Sequence, residues 1–248
     1  MKHFSMMMFV VSLIAFGSLA QAAVIGVHSA DLDPTDEGWV LDAAGGDPAV
    51  GPGADELLYR QIVAEAEQGR YLYNTDAASL SDPSGWTLTG VVKLNDAAYI
   101  NDCNIAVLDS ASWWTINLTT SGAHTWNTAF AYESTLSTLD PTDGYHIYQI
   151  QYNPGGDAVN YYIDGTFVGG QARGNVPSGY GIYRAEFGDS NGLTNTTDSQ
   201  WASVVLETGQ ITYSNVNEVP GVVVPEPSTL VMLVLGSLAL GLGYFRKR

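Results

Sequence analysis

The chain has 248 residues, 46% of them hydrophobic and 11% aromatic, with 9 Lys+Arg against 26 Asp+Glu. Lys2, Arg246, Lys247 and Arg248 and one acid, Glu226, sit at the two ends, which leaves 5 basic and 25 acidic residues, a formal charge near −20, over the body. That balance excludes a nucleic-acid surface, which needs a basic patch, and 6 Trp, 14 Tyr and 7 Phe exclude disorder, because they bury enough area to order a chain.

At the N-terminus, Lys2 and His3 precede an apolar run over residues 6–19 that only Ser12 and Ser18 interrupt, and Ala20-Gln21-Ala22 follows. A positive start, an apolar stretch and a small-x-small exit define a secretory signal peptide. Residues 1–22 are therefore expected to be removed by signal peptidase, with cleavage between Ala22 and Ala23. The next expected unit is a single domain over residues 23–218, then a linker over 219–224. About 200 residues suit one domain with a sizeable core. Early in it, Asp31, Asp33, Asp36 and Glu37 put four carboxylates within seven residues, oxygen ligands of the kind that hold Ca²⁺. The spacing and glycine of an EF-hand loop are missing, so loop solvation is the stronger reading. No cofactor is expected, with Ca²⁺ at Asp31, Asp33 and Asp36 as the weak alternative.

Residues 55–68 carry Leu57, Leu58, Ile62, Val63 and Ala66 at helical spacing, with Gly69 as a stop. The segment reads as a short helix or an irregular edge segment. Beyond it, apolar residues mostly alternate. Strands are predicted over 86–94, 105–108, 113–118, 124–126, 145–152, 159–163, 166–168, 182–187 and 202–206, each rich in β-branched and aromatic residues and bounded by Gly, Pro, Asn or Asp. Asp164-Gly165 separates two strands by two residues, as a type I′ turn requires. Asn153-Pro154-Gly155-Gly156-Asp157 reads as a longer turn whose glycines supply positive φ. Cys103 stands alone, excludes an intramolecular disulfide, and reads as a small buried apolar residue. Many short strands and at most one helix predict an all-β sandwich.

The runs Tyr145-x-Ile147-Tyr148-x-Ile150-x-Tyr152 and Val159-x-Tyr161-Tyr162-Ile163-Asp164-Gly165-Thr166 resemble adjacent core strands of concanavalin-like and laminin-G-like jelly rolls. Phe187-Gly188-Asp189 and Trp201-Ala202-Ser203-Val204 resemble their closing strands. The resemblance implies a jelly-roll β-sandwich that is a binding module, a structural module or a glycosidase. The Glu-x-Asp-x-x-Glu strand of laminarinase-type enzymes is absent, and Glu65-Ala66-Glu67 falls in the helix-like segment, where alternate residues point apart. No Gly-x-Ser-x-Gly elbow, His-Glu-x-x-His or phosphate loop occurs. No catalytic residue is therefore assigned. Trp113, Trp114 and Trp126 are the candidates for stacking on sugar rings, and since neighbours on a strand face opposite ways, one of Trp113 and Trp114 belongs to the core.

At the C-terminus, residues 230–245 carry no ionisable side chain apart from the phenol of Tyr244, and Arg246-Lys247-Arg248 closes the chain. These positions span roughly 24 Å as a helix, short of a hydrocarbon core of about 30 Å, and Gly236, Gly241 and Gly243 weaken it. Basic residues at the end place that end in the cytoplasm as a stop. Pro225-Glu226-Pro227-Ser228-Thr229, the apolar helix and the basic cluster resemble the PEP-CTERM sorting domain of exported Gram-negative bacterial proteins, over residues 225–248. The resemblance implies recognition by an exosortase and cutting near Pro225-Glu226-Pro227, after transient membrane insertion; a permanent single-span anchor is the competing reading. The expectation is a non-enzymatic, exported cell-surface or extracellular-matrix protein. Polysaccharide binding is the alternative and a glycosidase of the concanavalin-like fold the weaker one.

Overall fold

The computed structural model describes residues 22–29, 32–44, 49–52, 59–63, 68–81, 83–97, 103–128, 132–174, 182–189 and 196–222. The signal peptide up to Gln21, Asp31, the pair Glu65 and Glu67, and the sorting segment with Pro225, Glu226, Pro227, Arg246, Lys247 and Arg248 lie outside them. Among the described residues no helix is long and apolar enough to cross a membrane.

The strands in chain order are β1 (Val24–Ser29), β2 (Val40–Ala44), β3 (Ala49–Pro52), β4 (Tyr59–Val63), β5 (Gln68–Asn74), β6 (Trp86–Asp96), β7 (Cys103–Leu108) and β8 (Trp113–Thr119). They continue with β9 (Gly122–Thr128), β10 (Tyr132–Ser137), β11 (His146–Asn153), β12 (Ala158–Ile163), β13 (Thr166–Ala172), β14 (Arg184–Asp189) and β15 (Thr197–Thr208). Sheet A runs β13-β12-β11-β6-β15-β4-β3, with β1 also on β15, and sheet B runs β10-β9-β8-β7-β14-β5-β2. Each pairing in them is antiparallel, as in a jelly-roll sandwich. Strand β15 organises sheet A. One side pairs with β6 along its length, while the other takes β4 at residues 197–201 and β1 at residues 203–207.

Side chains alternate across each strand, so one set from each sheet meets in the middle. Sheet A sends in Trp86, Leu88, Val92, Tyr148, Ile150, Tyr161 and Trp201; sheet B answers with Ile105, Val107, Trp114, Ile116, Tyr71 and Phe187, all buried. Two aromatic groups anchor the ends of this core. At one, the Phe187 ring lies 4.9 Å from Trp39 and from Trp201 and 5.2 Å from Tyr71. At the other, Trp86, Trp114 and Tyr152 pack with ring centroids 5.6 to 5.9 Å apart. Cys103 is buried in the same core. A register shift between Trp201 and Ser203 inserts one extra residue into β15. This bulge lets Trp201 and Val204, three apart, both point inward.

The outer face of sheet A carries a second cluster, Val91, Ile147, Ala202 and Val205, which Val219 closes, with Val216, Tyr213 and Val222 packed beside it. Residues 209–222 thus form a strap across that face. Polar side chains of the sheet hold its backbone: Gln149 Nε2 and Gln151 Nε2 each donate to Ile211 O at 3.1 Å, Tyr213 N donates to Gln149 Oε1 at 3.0 Å, and Ser203 Oγ donates to Pro220 O at 2.6 Å. Residues 219–222 of the expected linker are therefore seated on the sheet.

Two local expectations are corrected. Residues 59–63 form strand β4, paired on both sides by β3 and β15, and not a helix or an edge. A short apolar run fits both periods, and sheet pairing decides. In the turn after β11, positive φ falls on Asp157 (46°) and not on Gly155 or Gly156, with Asn153 Oδ1 accepting from Gly155 N at 3.0 Å. The type I′ turn stands as expected, with φ of 48° at Asp164 and 76° at Gly165.

Candidate functional site

Strand β8 alternates Trp113, Thr115, Asn117 and Thr119 with Trp114, Ile116 and Leu118. The apolar set faces the core, so the first set lies on the outer face of sheet B. Trp114 is 1% exposed in the core and is thereby removed from the stacking candidates, while Trp113 stays half-buried on the outer side. On β9, Thr125 donates inward to the buried Tyr161 hydroxyl at 3.2 Å, which places its neighbours His124 and Trp126 outward. Trp126 is half-buried too.

Cross-strand register joins these residues into rows. Asp42, Arg70, Gly188, Asn104, Asn117, His124 and Thr135 pair successively across β2, β5, β14, β7, β8, β9 and β10. Beside it run Leu72, Glu186, Ala106 and Thr115, and then Arg184, Leu108 and Trp113. Two of the body's five basic residues, Arg70 and Arg184, lie here. Arg70 donates to Asp42 Oδ2 from Nε and Nη2 (2.9 and 2.7 Å) and to Glu186 Oε2 from Nη1 (3.2 Å). Arg184 Nε donates to Glu186 Oε1 at 3.2 Å. Burial pushes the Glu186 carboxyl above the usual range, against the pull of both guanidinium groups.

Further along the first row, Asn117 Nδ2 donates to Thr115 Oγ1 at 3.0 Å, and His124 Nε2 lies 3.1 Å from Thr119 Oγ1. Asn117 Oδ1 is buried and has no hydrogen-bond partner among the described residues. Such an oxygen costs about 1–3 kcal/mol, and it faces the side of the sheet opposite the core. The face therefore combines two half-buried indoles with amide, hydroxyl and imidazole groups. The two indoles can stack on a ring, whereas Thr115, Asn117 and His124 are themselves buried.

Of the acidic run, Asp33, Asp36 and Glu37 are described and Asp31 is not. Asp33 caps the 3₁₀ turn Pro34–Glu37, accepting from Thr35 N and Oγ1 at 2.8 and 2.7 Å. Asp36 is exposed, and Glu37 is tied to Ser29 Oγ and to His28 Nδ1, each at 2.7 Å. Among the described residues no three or more His, Cys, Asp or Glu gather to hold a metal ion.

Sequence reasoning picked Trp113 and Trp126 but missed Arg70, Arg184, Glu186, Asn104, Asn117 and His124. The alternation of β8 carries the signal, because Thr115 and Asn117 share the face of Trp113. No sequence signal marks the pairing of Arg70 with Glu186 across 116 positions.

Residues 223–248 match the PEP-CTERM protein-sorting motif. No curated protein matches the chain. Among solved structures, it is similar to the conserved carbohydrate esterase of Shiga toxin-encoding bacteriophage phi24B, with a TM-score of 0.58 and 14% identity over 76% of this chain and 100% of that one. It is also similar to a sialidase, with a TM-score of 0.53 and 11% identity over 75% of this chain and 19% of that one. At such identities the likeness shows the fold: two antiparallel sheets in a jelly-roll sandwich.

Proposed function

We propose that this chain is a non-enzymatic protein, exported, cut near Pro225-Glu226-Pro227 by an exosortase-type enzyme, and displayed at the cell surface or in the extracellular matrix. The observation that carries this reading is the continuity of strap and signal. The folded body is clamped as far as Val222, and the sorting motif begins at residue 223. A rigid sandwich is thus joined to its address with almost no spacer, as suits a displayed module. Mass spectrometry of the exported protein tests it: a C-terminus near residues 225–227 is expected, and an intact Arg248 would make the chain a membrane-anchored protein instead.

Polysaccharide binding is a second reading, favoured by Trp113 and Trp126 lying on the same side of the Asn117 and His124 row on the outer face of sheet B. Retention on insoluble polysaccharide that Trp113→Ala abolishes would support it. Release of reducing sugar from β-glucans would replace both readings with a glycosidase.

A further inference from the structure

Beside that face, at the edge of the sandwich, the two sheets leave a gap between β9 and β10 of sheet B and β13 of sheet A. It is a cavity of ≈ 310 Å³ lined by Thr125, Ser134, Leu136, Val168, Gly169 and Gln171, among others. We infer that this edge cleft binds a single neutral sugar ring, such as the terminal or branch residue of a polysaccharide. The inference rests on the polysaccharide-binding reading for the ligand's class and assigns it a place apart from Trp113.

Three observations carry it. The floor of the cleft is polar and fixed. Thr125 Oγ1 donates to Tyr161 Oη at 3.2 Å, Tyr161 Oη donates to Gln171 Oε1 at 2.7 Å, and Gln171 Nε2 donates to Trp126 O at 2.6 Å. Tyr161, Thr125 and Gln171 are all buried, so the hydroxyl and amide that face the gap cannot swing away. The opening is kept by glycine, since a Cβ at Gly169 would come within 3.2 Å of Leu136 Cδ2 and fill the gap between β13 and β10. A register shift between Tyr161 and Tyr162 re-aims β13 at this point, with Val168 as the extra residue. The lining is chemically matched to a sugar. Hydroxyls of Thr125 and Ser134 and the Gln171 amide meet ring hydroxyls, Leu136 and Val168 meet the apolar face of the ring, and no lining side chain is ionisable. The volume sits at the bottom of the range of about 300–1,000 Å³ for ligand pockets, which suits one ring and not a chain lying lengthwise.

Titration of the exported protein by calorimetry with the methyl glycosides of glucose, galactose, mannose, N-acetylglucosamine and glucuronic acid tests the inference. At least one neutral glycoside should bind with a dissociation constant on the order of 1 mM, the range for so small a ligand. The glucuronide should bind at least about tenfold more weakly, because the cleft offers it no cation and the body repels anions. Gly169→Val should weaken the neutral glycoside about tenfold or more by filling the cleft, with the circular dichroism spectrum kept, and Gln171→Ala should do the same by removing its amide. Trp113→Ala should leave the affinity unchanged. Absence of binding by any neutral glycoside, or unaltered affinity in both cleft variants, overturns the inference. Polysaccharide retention lost in Trp113→Ala but kept in both cleft variants overturns the cleft while sparing the sheet B reading.

Discussion

The two outer faces of the sandwich are both rich in polar side chains, yet they are used in opposite ways. On sheet A, Thr87, Gln149, Gln151 and Ser203 hold the backbone of residues 209–222, and Val219 completes an apolar cluster beneath. That face is closed by the chain itself. On sheet B, the corresponding groups bond to one another, as in the Asp42, Arg70, Glu186 and Arg184 network, or leave an oxygen such as Asn117 Oδ1 without a partner. The difference teaches that polarity on a sheet face does not by itself mark a ligand site; where the polar groups' partners lie does.

The sharpest break of this comparison sits on one strand. Trp114→Ala should cost about 3–5 kcal/mol by opening a cavity in the core, whereas Trp113→Ala, its neighbour on the outer face, should cost about 1 kcal/mol. Denaturant titrations of the pair would reverse the assignment of faces if the two costs were interchanged. Next in size, Val219→Asp puts a carboxylate into the outer cluster of sheet A and should undock the strap at a cost of about 3 kcal/mol. Limited proteolysis should then cut within residues 209–222 while the sandwich core stays protected. Gln149→Ala removes one acceptor and one donor from the same strap and should cost about 2 kcal/mol, read as a shift in the denaturation midpoint.

A pH scan sharpens the picture at the end of sheet A. His146 lies between Asp164 (Nδ1 to Oδ2, 2.8 Å) and Asp143 (Nε2 to Oδ1, 2.7 Å). The Asp164 hydrogen bond, with that of Asp143, raises the imidazole from an ordinary 6.5 to about 9, against its desolvation. Because the folded value lies above the unfolded one, this stabilisation is full below about pH 6.5 and is lost as pH rises through about 9. Thermal melts should therefore weaken across that window, and Asp164→Asn should flatten the slope. Under the strap, burial raises the Glu207 carboxyl against its bond from the Tyr213 hydroxyl, so acidification toward the carboxylate range should tighten strap docking, in the same sense. The smallest effect is expected at Tyr148, whose buried hydroxyl has no hydrogen-bond partner among the described residues. Tyr148→Phe should be neutral or stabilising by up to about 1 kcal/mol.

By itself the sequence determined the class of the fold and the address. Alternation over β6, β8, β11 and β12, and the Asp164-Gly165 turn, are local signals, because side-chain period and turn φ are set by adjacent residues. The sorting motif is likewise a linear string of residues. Only tertiary structure decided that residues 59–63 pair as β4, that Trp114 turns inward, and that residues 219–222 lie on a sheet and not in a linker. The same holds for the rows of sheet B and the edge cleft. They unite Arg70 with Glu186 through pairing of β5 with β14, and Thr125 with Gln171 through packing of one sheet on the other, and no local pattern encodes which strand lies beside which.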